Sequence, residues 1–193
     1  MMEAYSTLEY LALDNIGAEE RDFRIKLLAL HDCDRRLQTA KALGSSQATM
    51  EMLSNQFNEH QENVSKCEFF ASLSAKEQDR MLREPRDFYK SRKERNAAAN
   101  VDDDFYHTAL IYLSQFVHSH GFALHQLHRF SANTPEAYRA MGIPVAFATA
   151  FFAKGIQGMR RLFALDEGSL SPGQHEQLNQ MATMTNGFPA TPE

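Results

Sequence analysis

Two cysteines, Cys33 and Cys67, are all that this 193-residue chain contains. They stand far apart and outside any metal-binding spacing, so they read as free thiols rather than as a disulfide or a metal site. No uninterrupted apolar run reaches the roughly 18 residues of a membrane span. Glu3 and Glu9 interrupt the first apolar residues, so no signal peptide is expected and a cytoplasmic location is. Positive charge is in short supply. Twenty Lys and Arg against 25 Asp and Glu give a net charge of -5 and a pI near 5.9. That argues against a general nucleic-acid binder, whose affinity rests on neutralised phosphates. No strand pattern, internal repeat or linker shows. No nucleophile with a base at motif spacing, Gly-rich phosphate loop or pair of catalytic carboxylates stands out, so no enzymatic activity is expected.

What is present is helical. The chain is 43% hydrophobic and 23% charged, which fits one globular domain. Tyr5 to Leu13 reads as a short amphipathic helix, broken at Asn15-Ile16-Gly17. Ala18 to Asp32 reads as a second, with Phe23, Leu27 and Leu30 at helical spacing. Asp34 to Leu43 reads as a third and Ser46 to about Glu62 as a fourth. Ser74-Ala75-Lys76-Glu77 has the form of a capping box for a short helix that Pro85 ends. Asn100 to Ser119 is expected to be a long helix stopped by Gly121, and Phe122 to Phe130 a short helical piece. Thr134-Pro135 opens a helix expected to end at Gly142. Ile143 to Leu165, apolar almost all round in its first half, is expected to be a central buried helix. Ser171-Pro172-Gly173-Gln174 caps the last one.

The chemistry concentrates between Arg86 and Gly121. Arg83, Arg86, Lys90, Arg92, Lys93 and Arg95 lead into Ala97-Ala98-Ala99, and Asp102, Asp103 and Asp104 follow. The basic cluster suits an anionic partner, the small residues admit something flat, and one carboxylate can meet N–H donors. The competing reading of the acidic triplet is that it complements the helix macrodipole.

Several segments resemble the phycobiliproteins, the bilin-carrying globins of cyanobacterial light harvesting. Arg35-Arg36-Leu37 and the following QTAKALGSSQATMEMLSNQFNEHQ are similar to their early antenna segment. Pro135-Glu136-Ala137-Tyr138-Arg139-Ala140-Met141-Gly142-Ile143-Pro144-Val145 is similar to their "ETYxALGxPxA" segment. Ser171-Pro172-Gly173 resembles their "TPGD" helix start. The resemblance covers residues 18 to 185. It implies an all-α, globin-like bundle with two extra N-terminal helices: an extension over 1–33, a globin core over 34–185 and a tail over 186–193. In the family the N-terminal pair builds a dimer, which implies a homodimer held by Leu8, Leu11, Phe23 and Leu27.

The departure lies at the chromophore. The family motif "AACxRD" carries the cysteine that anchors the bilin. Here it reads Ala98-Ala99-Asn100-Val101-Asp102-Asp103, with Asn100 in the cysteine's place, Asp102 in the arginine's, and the pyrrole-gripping aspartate kept as Asp103. That is closer to the bilin biosynthesis-associated globins, which accompany haem oxygenase and bilin reductases. The resemblance thus implies a linear bilin of the biliverdin type, held non-covalently, and either of those enzymes as a partner. Asp103 is the implied acceptor for pyrrole N–H groups, and Arg92, Lys93 and Arg95 the implied propionate contacts. For each of the three, a solvated basic loop competes. Tyr89, Phe105, Tyr106 and Tyr112 are candidates to stack on the rings, or are plain core. Asn100, His107 and Tyr138 complete the candidate lining.

Histidines cluster at His118, His120, His125 and His128. His125 and His128 share a helix face and can border a bilin or ligate haem iron. No acidic or cysteine partners at matched spacing mark a metal site. Two alternatives therefore stand beside the bilin carrier: a haem-binding globin for gas sensing or haem delivery, and a ligand-free globin that serves as a protein-interaction module.

Overall fold

The helix starts signalled at Ser46, Ser74, Thr134 and Ser171 are realised in the structure, a computed structural model that describes residues 1–117, 131, 133–165 and 170–187. Every regular element among the described residues is helical. Helix α1 (Met2–Leu8) runs into a π-helical turn (Glu9–Leu13). Then come α2 (Ala18–Ala42), α3 (Gln47–Ser65), α4 (Glu68–Ala71), α5 (Ala75–Arg83), α6 (Arg92–Ala98), α7 (Asp103–Val117), α8 (Pro135–Leu162) and α9 (Pro172–Thr183), with a 3₁₀ turn at Met184–Asn186. Ser46 Oγ accepts from the Thr49 amide, and Thr134 Oγ1 from the Ala137 amide. Ser74 with Glu77, and Ser171 with Gln174, close reciprocal capping boxes. Each such bond satisfies a donor that the first helical turn leaves unpartnered, worth about 1 kcal/mol.

The chain divides into two compact units, Asn15–Ser91 and Met1–Asp14 with Arg92–Glu193. In the first, α2 is one continuous helix rather than two. Asp32-Cys33-Asp34 contains no breaker, and the turn comes only at Gly44. There φ is +65°, where a side chain would be strained, and the Ser45 amide bonds back to the Ala40 carbonyl. Phe23, Leu27 and Leu30 pack with Val64, Cys67, Phe70 and Met81. Phe23 and Leu27 are fully buried in this core, so neither is at the surface to hold a dimer. Arg24 is fully buried as well, with Nη2 at 2.5 Å from Glu20 Oε1. The Tyr89 hydroxyl donates to the same carboxylate.

In the second unit the core gathers Met2, Tyr5, Phe105, Tyr106, Phe147 and Phe151 from α1, α7 and α8. The Phe105 ring lies 5.3 Å from Phe147 and 6.0 Å from Phe151, and each such ring contributes about 1.5–3 kcal/mol by burial. The π-helical turn presses Leu13 onto Gly158 of α8, where a Cβ would collide with the Leu13 side chain.

Helix α8 departs from expectation twice. It does not stop at Gly142 but continues through Pro144. Nor is it buried all round: Phe147, Ala150, Phe151 and Ala153 face the core, whereas Val145 and Phe152 are 63% and 53% exposed. By length and composition α8 is also apolar enough to cross a membrane, a test that soluble core helices pass as well.

Candidate functional site

The turn between α6 and α7 holds the residues that the sequence singles out. It begins with Asn100 at φ +50°, a left-handed position that asparagine tolerates better than most side chains. The Val101 amide bonds to the Asn96 carbonyl at 2.8 Å and the Asn100 amide to the Ala97 carbonyl at 3.1 Å. This is the Schellman arrangement that ends a helix. Lys154 of α8 donates from Nζ to the Ala99 and Asn100 carbonyls at 2.7 and 2.6 Å, closing two acceptors at the end of α6. Burial holds the Lys154 ammonium below its ordinary pKa.

Asp102 then caps α7. Its Oδ1 accepts from the Phe105 amide at 2.7 Å, and its own amide donates to the Thr185 carbonyl at 2.8 Å. The expected helix over Asn100 to Ser119 therefore starts three residues later, at Asp103. The reason is that Asn100 carries a left-handed φ and Asp102 is consumed as the cap.

Asp103, in the first turn, reaches back across to α6. Asn96 Nδ2 donates to its Oδ1 at 2.8 Å, and Arg92 donates from Nε at 3.2 Å and Nη2 at 3.3 Å, one to each oxygen. The hydrogen bonds from Arg92 and then Asn96 hold the carboxyl below the usual aspartate range. Arg92 Nη1 lies 3.2 Å from His107 Nδ1. In this contact the guanidinium can only donate. His107 follows Asp103 by four residues and so shares its helix face. The Asp103 and Arg92 side chains are 32% and 38% exposed, open to solvent and to a ligand.

The remaining candidates are placed elsewhere. Lys93 is exposed on α6. Arg95 lines a cavity of about 10 Å³ with Tyr5, Ser6, Glu9 and Asn96, the space of roughly one water molecule. Phe105 and Tyr106 are buried core rings, with the Tyr106 hydroxyl 3.3 Å from Ser6 Oγ, so they do not offer a stacking face. Tyr138 is 62% exposed and donates to Asn133 Oδ1. Tyr89 belongs to the other unit and packs edge-on against Phe23. His118, His120, His125 and His128 lie outside the described residues. Among the described residues no group of three or more His, Cys, Asp or Glu side chains is placed to hold a metal ion.

Sequence reasoning missed Asn96, Lys154 and Thr185. Asn96 had a local signal, because it follows Arg92 by one helical turn and so faces the same way. Lys154 and Thr185 had none. No family model, curated protein or solved structure matches the chain.

Proposed function

We propose that the chain is a non-enzymatic, globin-like tetrapyrrole-binding protein that holds a linear bilin non-covalently on the α6–α7 face. The observation that carries this reading is the Asp103 carboxylate. It is ionised, half-exposed and already dressed with N–H donors from Arg92 and Asn96. A bilin brings N–H donors of its own and two propionates. An exposed ion pair contributes only about 0–1 kcal/mol, so Arg92 can pass from Asp103 to a propionate at small cost while pyrrole N–H groups replace it. Lys93 is exposed on the same helix for the second propionate. When bound, the bilin supplies a conjugated chromophore and an oxidisable chain; the protein's part is to bind it and select its geometry. The 10 Å³ cavity beside α6 does not admit a tetrapyrrole, so on this reading the ligand lies on the outer face of the turn.

The non-covalent character has its own support. Asn100 offers no thiol. Cys33 and Cys67 are buried, and burial pushes both thiols up from their ordinary pKa, away from the thiolate that attack requires. A carrier role beside haem oxygenase or a bilin reductase is part of the proposal, as is a homodimer built without Phe23 and Leu27. The test is titration with biliverdin, read at the red absorption band, in the native protein and in Asp103→Asn. Native affinity that Asp103→Asn reproduces would remove the assigned site, and no saturable binding by either would remove the function.

A further inference from the structure

A second recess is cut into the same unit. Helices α1 and α8 leave an apolar groove of about 350 Å³ between them. Its walls include Ala4 and Leu8 of α1 and Phe151, Phe152 and Ile156 of α8, with Gly155 on its floor. At Gly155 a Cβ would meet only Tyr5 Cδ2, at 3.8 Å, so the groove stays open there for want of a side chain. Phe152 and Leu165 are each 53% exposed, which leaves large apolar surfaces in water. At one end the groove meets a polar cleft of about 510 Å³ between α8 and α9, and the two share Arg160 and Leu165. The cleft adds Arg161, His175, Gln157 and Asn179. Two arginines, Arg160 and Arg161, line the cleft, and Arg161 also feels the charge of the half-buried Glu9 carboxylate.

From this juxtaposition we infer that the protein binds a single-chain anionic amphiphile, a long-chain fatty acid, with its hydrocarbon along the α1–α8 groove and its carboxylate at Arg160 and Arg161. An apolar trough opening onto two guanidinium groups matches that ligand in both halves. A groove of this volume is small-molecule sized. The site shares no residue with the α6–α7 turn, so it stands whether or not a bilin binds there.

The experiment is titration of the full chain with a dansyl-labelled C11 fatty acid, followed by emission. Saturable micromolar binding is expected. The pair Arg160→Gln with Arg161→Gln should weaken the acid at least tenfold and leave the corresponding methyl ester unchanged. Gly155→Leu should weaken acid and ester alike by filling the floor. Phe152→Ser, at a position already exposed and so compatible with folding, should weaken both less. Asp103→Asn should change nothing. Absence of saturable binding by the native chain overturns the proposal, as does equal binding by native, Gly155→Leu and Phe152→Ser proteins. Co-sedimentation with anionic phosphatidylglycerol vesicles that is lost in the same variants, without binding of the free acid, overturns it in favour of a membrane surface.

Discussion

The hydroxyl of Tyr112 donates to the carbonyl of Ala140 at 3.3 Å. That carbonyl stands four residues before Pro144, which has no N–H to give it. A helix from elsewhere in the chain thus supplies the donor that proline removes, and α8 runs on without a break. Tyr112→Phe is expected to cost about 1 kcal/mol. Pro144→Ala restores the helical N–H, and in that background the cost of Tyr112→Phe should largely disappear. A double-mutant cycle of denaturant midpoints checks this, and additive effects would show that the two residues are not coupled.

Asn100 and Ala164 both end helices with positive φ, +50° and +46°. Asparagine is at home there and alanine is not. Ala164→Gly should stabilise the chain by about 1 kcal/mol and Asn100→Ala should destabilise it by a similar amount, with Asn100→Gly near neutral. Asn100→Cys, the change that would recreate a bilin anchor, carries the same backbone penalty as alanine. Thermal melts of the four variants decide the point.

The three neighbouring aspartates have different duties. Asp102→Ala should cost about 0.5–2 kcal/mol through loss of the cap, whereas Asp102→Asn keeps an acceptor and should cost little. Asp103→Asn should cost at most about 1 kcal/mol of stability, the size of an exposed ion pair, but weaken bilin binding about ten- to a hundredfold. That corresponds to about 1.4–2.8 kcal/mol. Asp104→Asn should alter neither. Loss of bilin affinity of the same size in all three would make the segment an ordinary helix start.

Because Arg92 and Asn96 hold the Asp103 carboxyl down, its folded pKa lies below the unfolded value of about 3.9. Its contribution is therefore present above that value and is lost as pH falls through the lower folded one. Carboxyl NMR titration should place Asp103 below its ordinary range in the native protein and return it upward in Arg92→Ala.

Glu9 works in the opposite sense. Burial pushes its carboxyl up, against the hydrogen bond from Tyr5 and the charge of Arg161, which pull it down. A folded pKa above the unfolded one means that its contribution is full below about 4.3 and is lost as pH rises through the folded value. Glu9→Gln should be more stable than the native chain at pH 7 and indistinguishable at pH 4. A stability difference that does not change between those two pH values would contradict the assignment.

The sequence by itself determined what is decided within one helical turn. Ser46, Ser74 with Glu77, Thr134 with Pro135, and Ser171 with Gln174 each bond to a residue three positions on, so their spacing alone marks where a helix starts. The all-α character follows from the same local signals, as does the helical spacing of Phe23, Leu27 and Leu30, but that spacing does not tell a core from the dimer face expected of Phe23 and Leu27. What only the tertiary structure decided depends on partners distant in the chain. Gly142 reads locally as an ending, but α8 continues through it, with Tyr112 supplying a donor to the Ala140 carbonyl. Asn100 reads as the start of a helix, and Lys154 and Thr185 bond instead to the turn that it and Asp102 make. Phe105 and Tyr106 read equally well as ligand rings or as core, and packing against Phe147 and Phe151 makes them core. A hydrogen bond or ring contact spanning tens of residues leaves no periodic trace in the sequence, because it is the folded chain that brings the two groups within reach.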